Sequence, residues 1–268
     1  MSQVNPHQNP AMPPRFRSPG VFFWVLLISF GAFFIQGFLS AEVSLERLGQ
    51  GAANMGTFFA QAFPADFSRI ENILYAMLET LNMAIVGVFF GVILSVPFAL
   101  LCSRNTCPNG IIRNTARLIV STLRTVPDLI WALIFVVAVG LGPLAGILAI
   151  VMDTIGFCAR FFSERIEEIR PGPSEALTST GAGRMSVIFG AIMPESMASL
   201  TATSLYSVEK AIRSAVVLGL VGAGGIGVEL STAMRMFRFD QALTIILVIL
   251  VVVITCEQIS SAIRKRII

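Results

Sequence analysis

A run of uncharged residues is the feature that most constrains what this chain can fold into. Thr80–Ser103 contains no charged side chain over 24 consecutive positions, and a helix needs about 20 apolar residues to cross the hydrocarbon core of a membrane. Only 13% of the 268 residues are charged, against roughly 25% in an ordinary soluble domain. The sequence therefore predicts a polytopic membrane protein and disfavours a soluble enzyme or a disordered chain.

Six mainly apolar stretches, some of which contain charged residues, predict an all-α fold with about six transmembrane helices. Gly140–Pro143 combines glycine and proline, so we expect a tight turn between the third and fourth helices. The expected spans are Val21–Leu39, Thr80–Ser103 (beginning near Ile73), Arg117–Val139, Leu144–Phe162, Ser196–Val221 and Ala242–Ala262.

The first span is longer than the apolar region of a signal peptide, which has about 7–15 residues. We therefore expect a retained anchor at residues 21–39, with cleavage after Ala41 as the alternative. Residues 1–20 carry five prolines and His7, the single histidine, and are expected to form a disordered cytoplasmic tail.

Residues 40–72 form the expected extracytoplasmic segment, and residues 73–268 form the expected core. Apolar side chains in the segment recur at steps of three and four, which is the period of a helix. This helix either lies flat on the membrane surface or packs as a loop helix. The apolar positions are Leu45, Leu48, Ala52, Met55 and Phe59.

The distribution of basic residues predicts the orientation, because cytoplasmic loops are enriched in Lys and Arg. With the N-terminus inside, the inner segments hold twelve basic residues and the outer segments four. We therefore expect a multi-pass protein of the cytoplasmic (inner) membrane with both termini in the cytoplasm. The net charge of +3 is too small to indicate a nucleic-acid partner.

No cofactor or metal site is expected on this chain. Its four cysteines show no C-x-x-C spacing, and a structural zinc site needs about four N or S ligands. The segment Gly222–Gly227 matches G-x-G-x-x-G, but a membrane helix precedes it where a dinucleotide site requires a strand. We expect Gly222, Gly224, Gly225 and Gly227 to serve helix packing instead.

Charged residues inside the spans are the candidates for a translocation pathway, because such charges face a partner or water. Glu209 and Arg213 are four residues apart and can pair, and Tyr206 shares their face. At 1.5 Å per residue they lie about 20–25 Å from the inner face. Two interpretations stay open, a neutral pair that fixes helix packing with Lys210 extending outward, or a pathway lining with a positive bias.

Arg124 and Asp128 are expected to form a second pair of this kind, across a helix kink at Pro127. Asp153 has no evident partner within its own span, and no role is assigned to it.

The loop at residues 163–195 predicts a short helix on the cytoplasmic side. Pro171–Pro173 breaks the chain, Ser174 suits an N-cap, and Gly181 suits the helix end. Glu175-Ala176-Leu177, Gly181 and Pro194 together resemble the E-A-A…G…P signature of ABC importer permeases. The resemblance implies a coupling helix that docks on a cytoplasmic ATPase, although Leu177 stands where the pattern has alanine.

Further segments resemble the phosphonate ABC importer permeases, so that the resemblance covers about residues 40–268. It implies a type I importer fold, a homodimer in membrane lipid, an ABC ATPase dimer that binds ATP and Mg²⁺, and an extracytoplasmic phosphonate-binding protein. The chain has two lysines, and neither follows the glycines of a P-loop. The segments are Phe63–Ser68, Val139–Pro143, Val221–Gly227 and Tyr206–Ala215.

Phosphonate import is therefore the expected function, and the alternative is an ABC permease for phosphite, another phosphorus oxyanion or a different small solute. A secondary transporter would show inverted repeats, and an intramembrane enzyme would need a constellation of catalytic groups. Neither feature is evident in the sequence.

Overall fold

The computed structural model describes residues 20–41 and 44–267 and divides the chain into two units, Met1–Phe58 and Phe59–Ile268. Within the described residues every regular element is helical. The first unit contains α1 (Val21–Ser40) and most of α2 (Leu45–Ala62). None of the residues of α1 is buried within the described chain.

Over its described residues, 59–267, the second unit contains nine further α-helices. A π-helical segment, Ile188–Ile192, joins α8 to α9 in one continuous helical run, Arg184–Gly219. The helices are α3 (Ile70–Cys102), α4 (Gly110–Thr125), α5 (Asp128–Val139), α6 (Pro143–Glu168), α7 (Pro171–Ser179), α8 (Arg184–Val187), α9 (Met193–Gly219), α10 (Ile226–Arg235) and α11 (Phe239–Ile267).

In the part of the chain that the structure describes, five helical runs are long and apolar enough to cross a membrane, and the bent pair α4 and α5 makes up to six. The predicted third span is wrong in its shape, because α4 and α5 meet at 89° instead of forming one kinked helix. The cause is Pro127, which disfavours helical backbone at the residue before it. Val126 is accordingly extended, with ψ of 118°.

The core is centred on α3 and α6, which run in parallel at close range. Gly87 and Gly91 of α3 face Ile150 and Thr154 of α6, and a Cβ atom on Gly91 would come within 2.5 Å of Thr154 Cβ. Ser95 Oγ donates to the Thr154 carbonyl at 3.4 Å. The lack of a side chain at Gly87 and Gly91 therefore lets α3 and α6 approach this closely.

Asp66, in the segment before α3, connects that segment to the start of α11. Thr244 Oγ1 donates to the Asp66 carbonyl at 2.8 Å, and Gln241 Nε2 donates to its carboxylate at 3.1 Å. Hydrogen bonds from Ser68 and Gln241 hold the pKa of the Asp66 carboxyl below its ordinary value. The Asp66 carboxylate that makes this connection is therefore ionised at neutral pH.

We expect Gly91→Val to destabilise the second unit by about 1–3 kcal/mol, the usual cost of forcing extra atoms into a packed core. The measurement is thermal unfolding of the purified chain in detergent. Gly31→Val is the matched control, since a Cβ atom at Gly31 of α1 meets nothing within 4 Å. Equal unfolding temperatures for the two variants would contradict this account of helix spacing.

Candidate functional site

The charged side chains of α9 lie on one side of that helix and reach two neighbouring helices. Glu209 turns toward α11, Lys210 turns toward α6, and Tyr206 and Arg213 are exposed between them. We call this set, together with its partners on α4, α6 and α11, the charged row.

The pair predicted between Glu209 and Arg213 is confirmed, and a third residue joins it. Arg213 donates to one carboxylate oxygen of Glu209, and Arg264 Nη2 lies 3.4 Å from the other. The Glu209 side chain is only 8% exposed, whereas that of Arg213 is 49% exposed. Arg264 lies three residues before the end of α11, so Glu209 is closer to that helix end than its sequence position indicated.

Lys210 does not extend away from the protein, which contradicts this part of the first of the two interpretations left open. Its Nζ lies 2.8 Å from both carboxylate oxygens of Asp153 and 5.0 Å from the centre of the Phe157 ring. The partner of Asp153 is thus on another helix, 57 positions away. Such a pairing is invisible to an analysis of spacing within one helix.

Two aromatic rings of α6 bring the predicted residues Arg124 and Tyr206 into one row. The Phe157 ring lies 5.7 Å from Tyr206 and 4.6 Å from Phe161, and the Arg124 guanidinium lies 5.6 Å from the centre of Phe161. The sequence analysis missed both phenylalanines. Their spacing from Asp153, at steps of four on one helix face, was the available signal.

The predicted pair between Arg124 and Asp128 does not form. The break at Pro127 separates the two helices that carry these residues, and the Asp128 carboxylate accepts a hydrogen bond from the Leu129 N–H at 2.9 Å. Gly156 of α6 instead lets the end of α4 approach, since a Cβ atom there would lie 2.9 Å from Arg124 N. Arg124 therefore points its charge at α6.

The charged row has more positive than negative groups. It contains the four cations Arg124, Lys210, Arg213 and Arg264, and the two carboxylates Asp153 and Glu209. Guanidinium groups bind oxyanions with two parallel hydrogen bonds, and a site away from bulk water strengthens them. The arrangement suits a small anion better than a neutral or cationic solute.

The short helix predicted around Glu175 is present as α7, but it starts earlier than expected. It begins at Pro171, the favoured residue for a first helical position, and Ser174 Oγ donates to the Pro171 carbonyl at 2.8 Å instead of capping the helix. Glu175 and Ala176 are exposed. Gly181 follows the helix with φ of +80°, a backbone conformation that favours glycine.

Leu177, the departure from the E-A-A pattern, fits a gap on the helical run that contains Pro194. A Cβ atom on Gly190 would lie 3.3 Å from Leu177 Cδ1, so the larger side chain at 177 is matched by a missing one at 190. Pro194 cannot donate a backbone hydrogen bond to Gly190. The π-helical segment Ile188–Ile192 ends two residues before Pro194. Its wider turn accommodates the hydrogen bond that Pro194 cannot make.

Glu167 ties the end of α6 to the start of the α3–α4 connection, and the sequence analysis missed it. Its carboxylate accepts hydrogen bonds from the Arg104 N–H at 2.7 Å and from the Arg117 guanidinium at 2.6 Å. Asn105 Nδ2 also donates to the Ile166 carbonyl at 2.9 Å. Glu167, four residues before α7 begins, therefore links the end of α6 to α4 and to the α3–α4 connection.

Three of the four glycines predicted to serve packing form a turn at the opposite end of α6, and the fourth, Gly227, lies in the first turn of α10. Gly222, Gly224 and Gly225 have positive φ, and a Cβ atom on Gly224 would lie 2.9 Å from Pro143 N. Gly227 packs against the Val216 carbonyl of α9. Gly142 N donates to the Gly222 carbonyl at 3.0 Å, which joins this turn to Gly140–Pro143. Ile226 N donates to Thr80 Oγ1 at 2.8 Å, which joins the turn to α3.

Among the described residues, no group of three or more His, Cys, Asp or Glu side chains could hold a metal ion.

Comparisons with known proteins agree with this architecture. The phosphite transport system permease protein PtxC of Stutzerimonas stutzeri is 34% identical over 239 residues, which are 89% of this chain and 87% of PtxC. The phosphate-import permease protein PhnE of Mycolicibacterium smegmatis is 38% identical over 211 residues, which are 78% of this chain and 40% of PhnE.

The fold matches a solved structure of the MetNI methionine ABC transporter, in an inward facing conformation, with a TM-score of 0.67 at 22% identity. The match covers 76% of this chain and 99% of that chain. The family model for the binding-protein-dependent transport system inner membrane component matches residues 87–267. The chain belongs to this family, the permease subunits of ABC importers.

Proposed function

We propose that this protein imports a phosphorus oxyanion, a phosphonate, as the membrane-spanning subunit of an ATP-driven importer. The observation that carries the proposal is the charged row, which has excess cations in a permease fold. Phosphite and phosphate are the alternative cargoes, since relatives are named for them. All three are small tetrahedral anions, which suit the paired N–H groups of a guanidinium.

In this proposal the end of the bundle that carries α7 faces the cytoplasm of the cell, and both termini lie on the same side in the inner membrane. Its support is the number of basic residues near that end, which include Arg104, Arg165, Arg170 and Arg184. The glycine turn then lies at the extracytoplasmic end, where a phosphonate-binding protein would deliver the substrate.

Two copies of the chain would form the pathway between them, with Tyr206 and Arg213 lining it. An anion that binds Arg213 competes with the Glu209 carboxylate for the same guanidinium. Glu209 keeps Arg264 as a partner, so its charge stays compensated when Arg213 turns toward the substrate. This exchange provides a binding site without leaving a buried carboxylate unpaired, which would be costly.

Energy for transport would come from ATP and Mg²⁺ bound to a partner ATPase dimer. Glu175 and Ala176, exposed on α7, would contact that partner, and Leu177, Gly181 and Pro194 would hold α7 in place. Movement of α7 would reach α4 through the ion pair of Glu167 with Arg117. The glycine turn is hydrogen-bonded to Thr80 and Gly142. At the extracytoplasmic end of the bundle it would form the contact that opens and closes the pathway.

Growth on single phosphorus sources tests the proposed cargo. A deletion strain should fail to grow on 2-aminoethylphosphonate or methylphosphonate, keep its growth on phosphate, and recover when it carries this chain. Loss of growth only on phosphite or phosphate would transfer the assignment to that anion. Unchanged growth on every source, in a strain without a redundant uptake route, would contradict phosphorus import.

We expect Glu175→Arg to abolish uptake of the identified anion while the protein still inserts in the membrane, because the exposed charge on α7 is reversed. Uptake and co-purification of the ATPase are measured together. Glu46→Arg, the same charge change on exposed α2, is the control and should transport normally. Normal uptake by Glu175→Arg would refute the role of α7 in coupling.

Arg213→Ala is expected to lower uptake at least tenfold while leaving thermal stability nearly unchanged, because Arg264 still compensates Glu209. Combining it with Arg264→Ala leaves Glu209 without a partner and should cost about 3 kcal/mol of stability. Unfolding temperature and uptake are measured on the wild type, on Arg213→Ala and on the double variant. Wild-type uptake in Arg213→Ala would refute its place in the pathway.

A further inference from the structure

A group of three arginines lies toward the end of α6 that is nearer to α7, and it shares Arg124 with the charged row. Arg117, Arg124 and Arg160 line one recess of about 300 Å³ between α4 and α6. Ser121 and Ser163 belong to the same lining, where the Ser163 hydroxyl donates to the Arg160 carbonyl at 2.8 Å. The buried side chain of Val120 closes part of the wall. Three guanidinium groups around one recess are the donor set that binds phosphates and other oxyanions.

The carboxylates near the recess do not neutralise it. Glu167 pairs with Arg117 at 2.6 Å, and Glu164 pairs with Arg160 at 2.7 Å. Arg124 makes its contact with the Phe161 ring, and no carboxylate within the described ranges lies within 4.0 Å of it. One positive charge is therefore in excess, and each paired guanidinium still has N–H groups to donate, since Arg carries five.

The recess continues the charged row along one face of α6. Asp153, Phe157, Arg160 and Phe161 lie within an arc of about 100° on the helix surface, and Arg124 touches both the recess and the Phe161 ring. The rise from Asp153 to Arg160 is about 10 Å. An anion released by Lys210 and Arg213 would meet this recess next on its way to the α7 end.

The cavity at the opposite end of the bundle has the contrary charge. It encloses about 550 Å³ beside the glycine turn, and its charged lining residues are Glu79 and Glu229. Of these two spaces, only the arginine recess offers cations to an anion.

We propose that the recess formed by Arg117, Arg124, Arg160, Ser121 and Ser163 is a second binding site for a phosphorus oxyanion. The proposal rests on the proposed function, because a transported anion is one source of this ligand. The phosphate group of an anionic lipid is the other source. Both present the same chemistry, a tetrahedral group with one or two negative charges.

The test measures binding of methylphosphonate to the full-length chain by isothermal titration calorimetry, in nanodiscs of phosphatidylcholine. Every protein carries Arg213→Ala, which removes the expected pathway contact and leaves the recess intact. Arg160→Gln added to this background should weaken binding about tenfold, the effect of losing one charge-assisted contact of about 1.4 kcal/mol. Ser121→Asp should abolish it, because the new carboxylate repels the anion.

Arg165→Gln is the matched control. Arg165 lies on the same helix and pairs with Glu168 at 2.7 Å, as Arg160 pairs with Glu164, but it does not line the recess. This variant should bind methylphosphonate like its background. Thermal unfolding of each protein separates loss of the site from loss of the fold.

A repeat in nanodiscs that contain phosphatidylglycerol distinguishes the two sources. Unchanged methylphosphonate binding there indicates the transported anion, whereas loss of binding together with lipid retained in native mass spectra indicates the lipid headgroup. Either result supports the recess. Binding that is absent from the Arg213→Ala background, or equal in the Arg160→Gln and Arg165→Gln proteins, overturns it.

The growth experiment on phosphorus sources fails or succeeds independently of this test. A chain that supports no phosphorus uptake but whose binding depends on Arg160 would lose the proposed function and keep the recess.

Discussion

Compensation of charge inside an apolar bundle is the constraint on which the centre of this protein depends. A charged side chain in a membrane span costs a few kcal/mol unless it meets a partner or water. Glu209, Lys210 and Arg213 follow one another along α9. Glu209 contacts Arg264 of α11 and Lys210 contacts Asp153 of α6, whereas Arg213 contacts Glu209 on α9 itself. These ion pairs fix how α9 is oriented between its neighbours and leave Arg213 half exposed.

Small residues provide the second condition, because they let helices approach closely at defined points. Gly91 sets the spacing of α3 and α6, and Gly156 lets the end of α4 reach α6 beside Arg124. The glycine turn does the same at the far end, against Pro143. Polar groups are thereby brought to defined positions on an otherwise apolar scaffold, which is the arrangement expected where a hydrophilic solute passes between helices.

At the α7 end, the proposed coupling segment lies next to a hydrogen-bonded connection between α6 and α4. Glu167 contacts Arg104 and Arg117, so the end of α6 is linked to α4. Arg124 on α4 belongs to both the charged row and the arginine recess. The proposed coupling segment and the proposed anion sites therefore lie on connected helices. This shared structure is the physical basis for coupling in the proposed transport cycle.

The sequence determined the membrane class, the number and approximate positions of the spans, the α7 segment and the pair of Glu209 with Arg213, because each depends on residues close together in the chain. Only the tertiary structure decided the rest. The sequence predicts only a kink at Pro127, since nothing local distinguishes a bend from the 89° turn that the structure has. The contacts of Lys210 with Asp153, of Arg264 with Glu209 and of Arg124 with Phe161 join residues 37 to 57 positions apart, and they follow from helix packing, which no single span specifies.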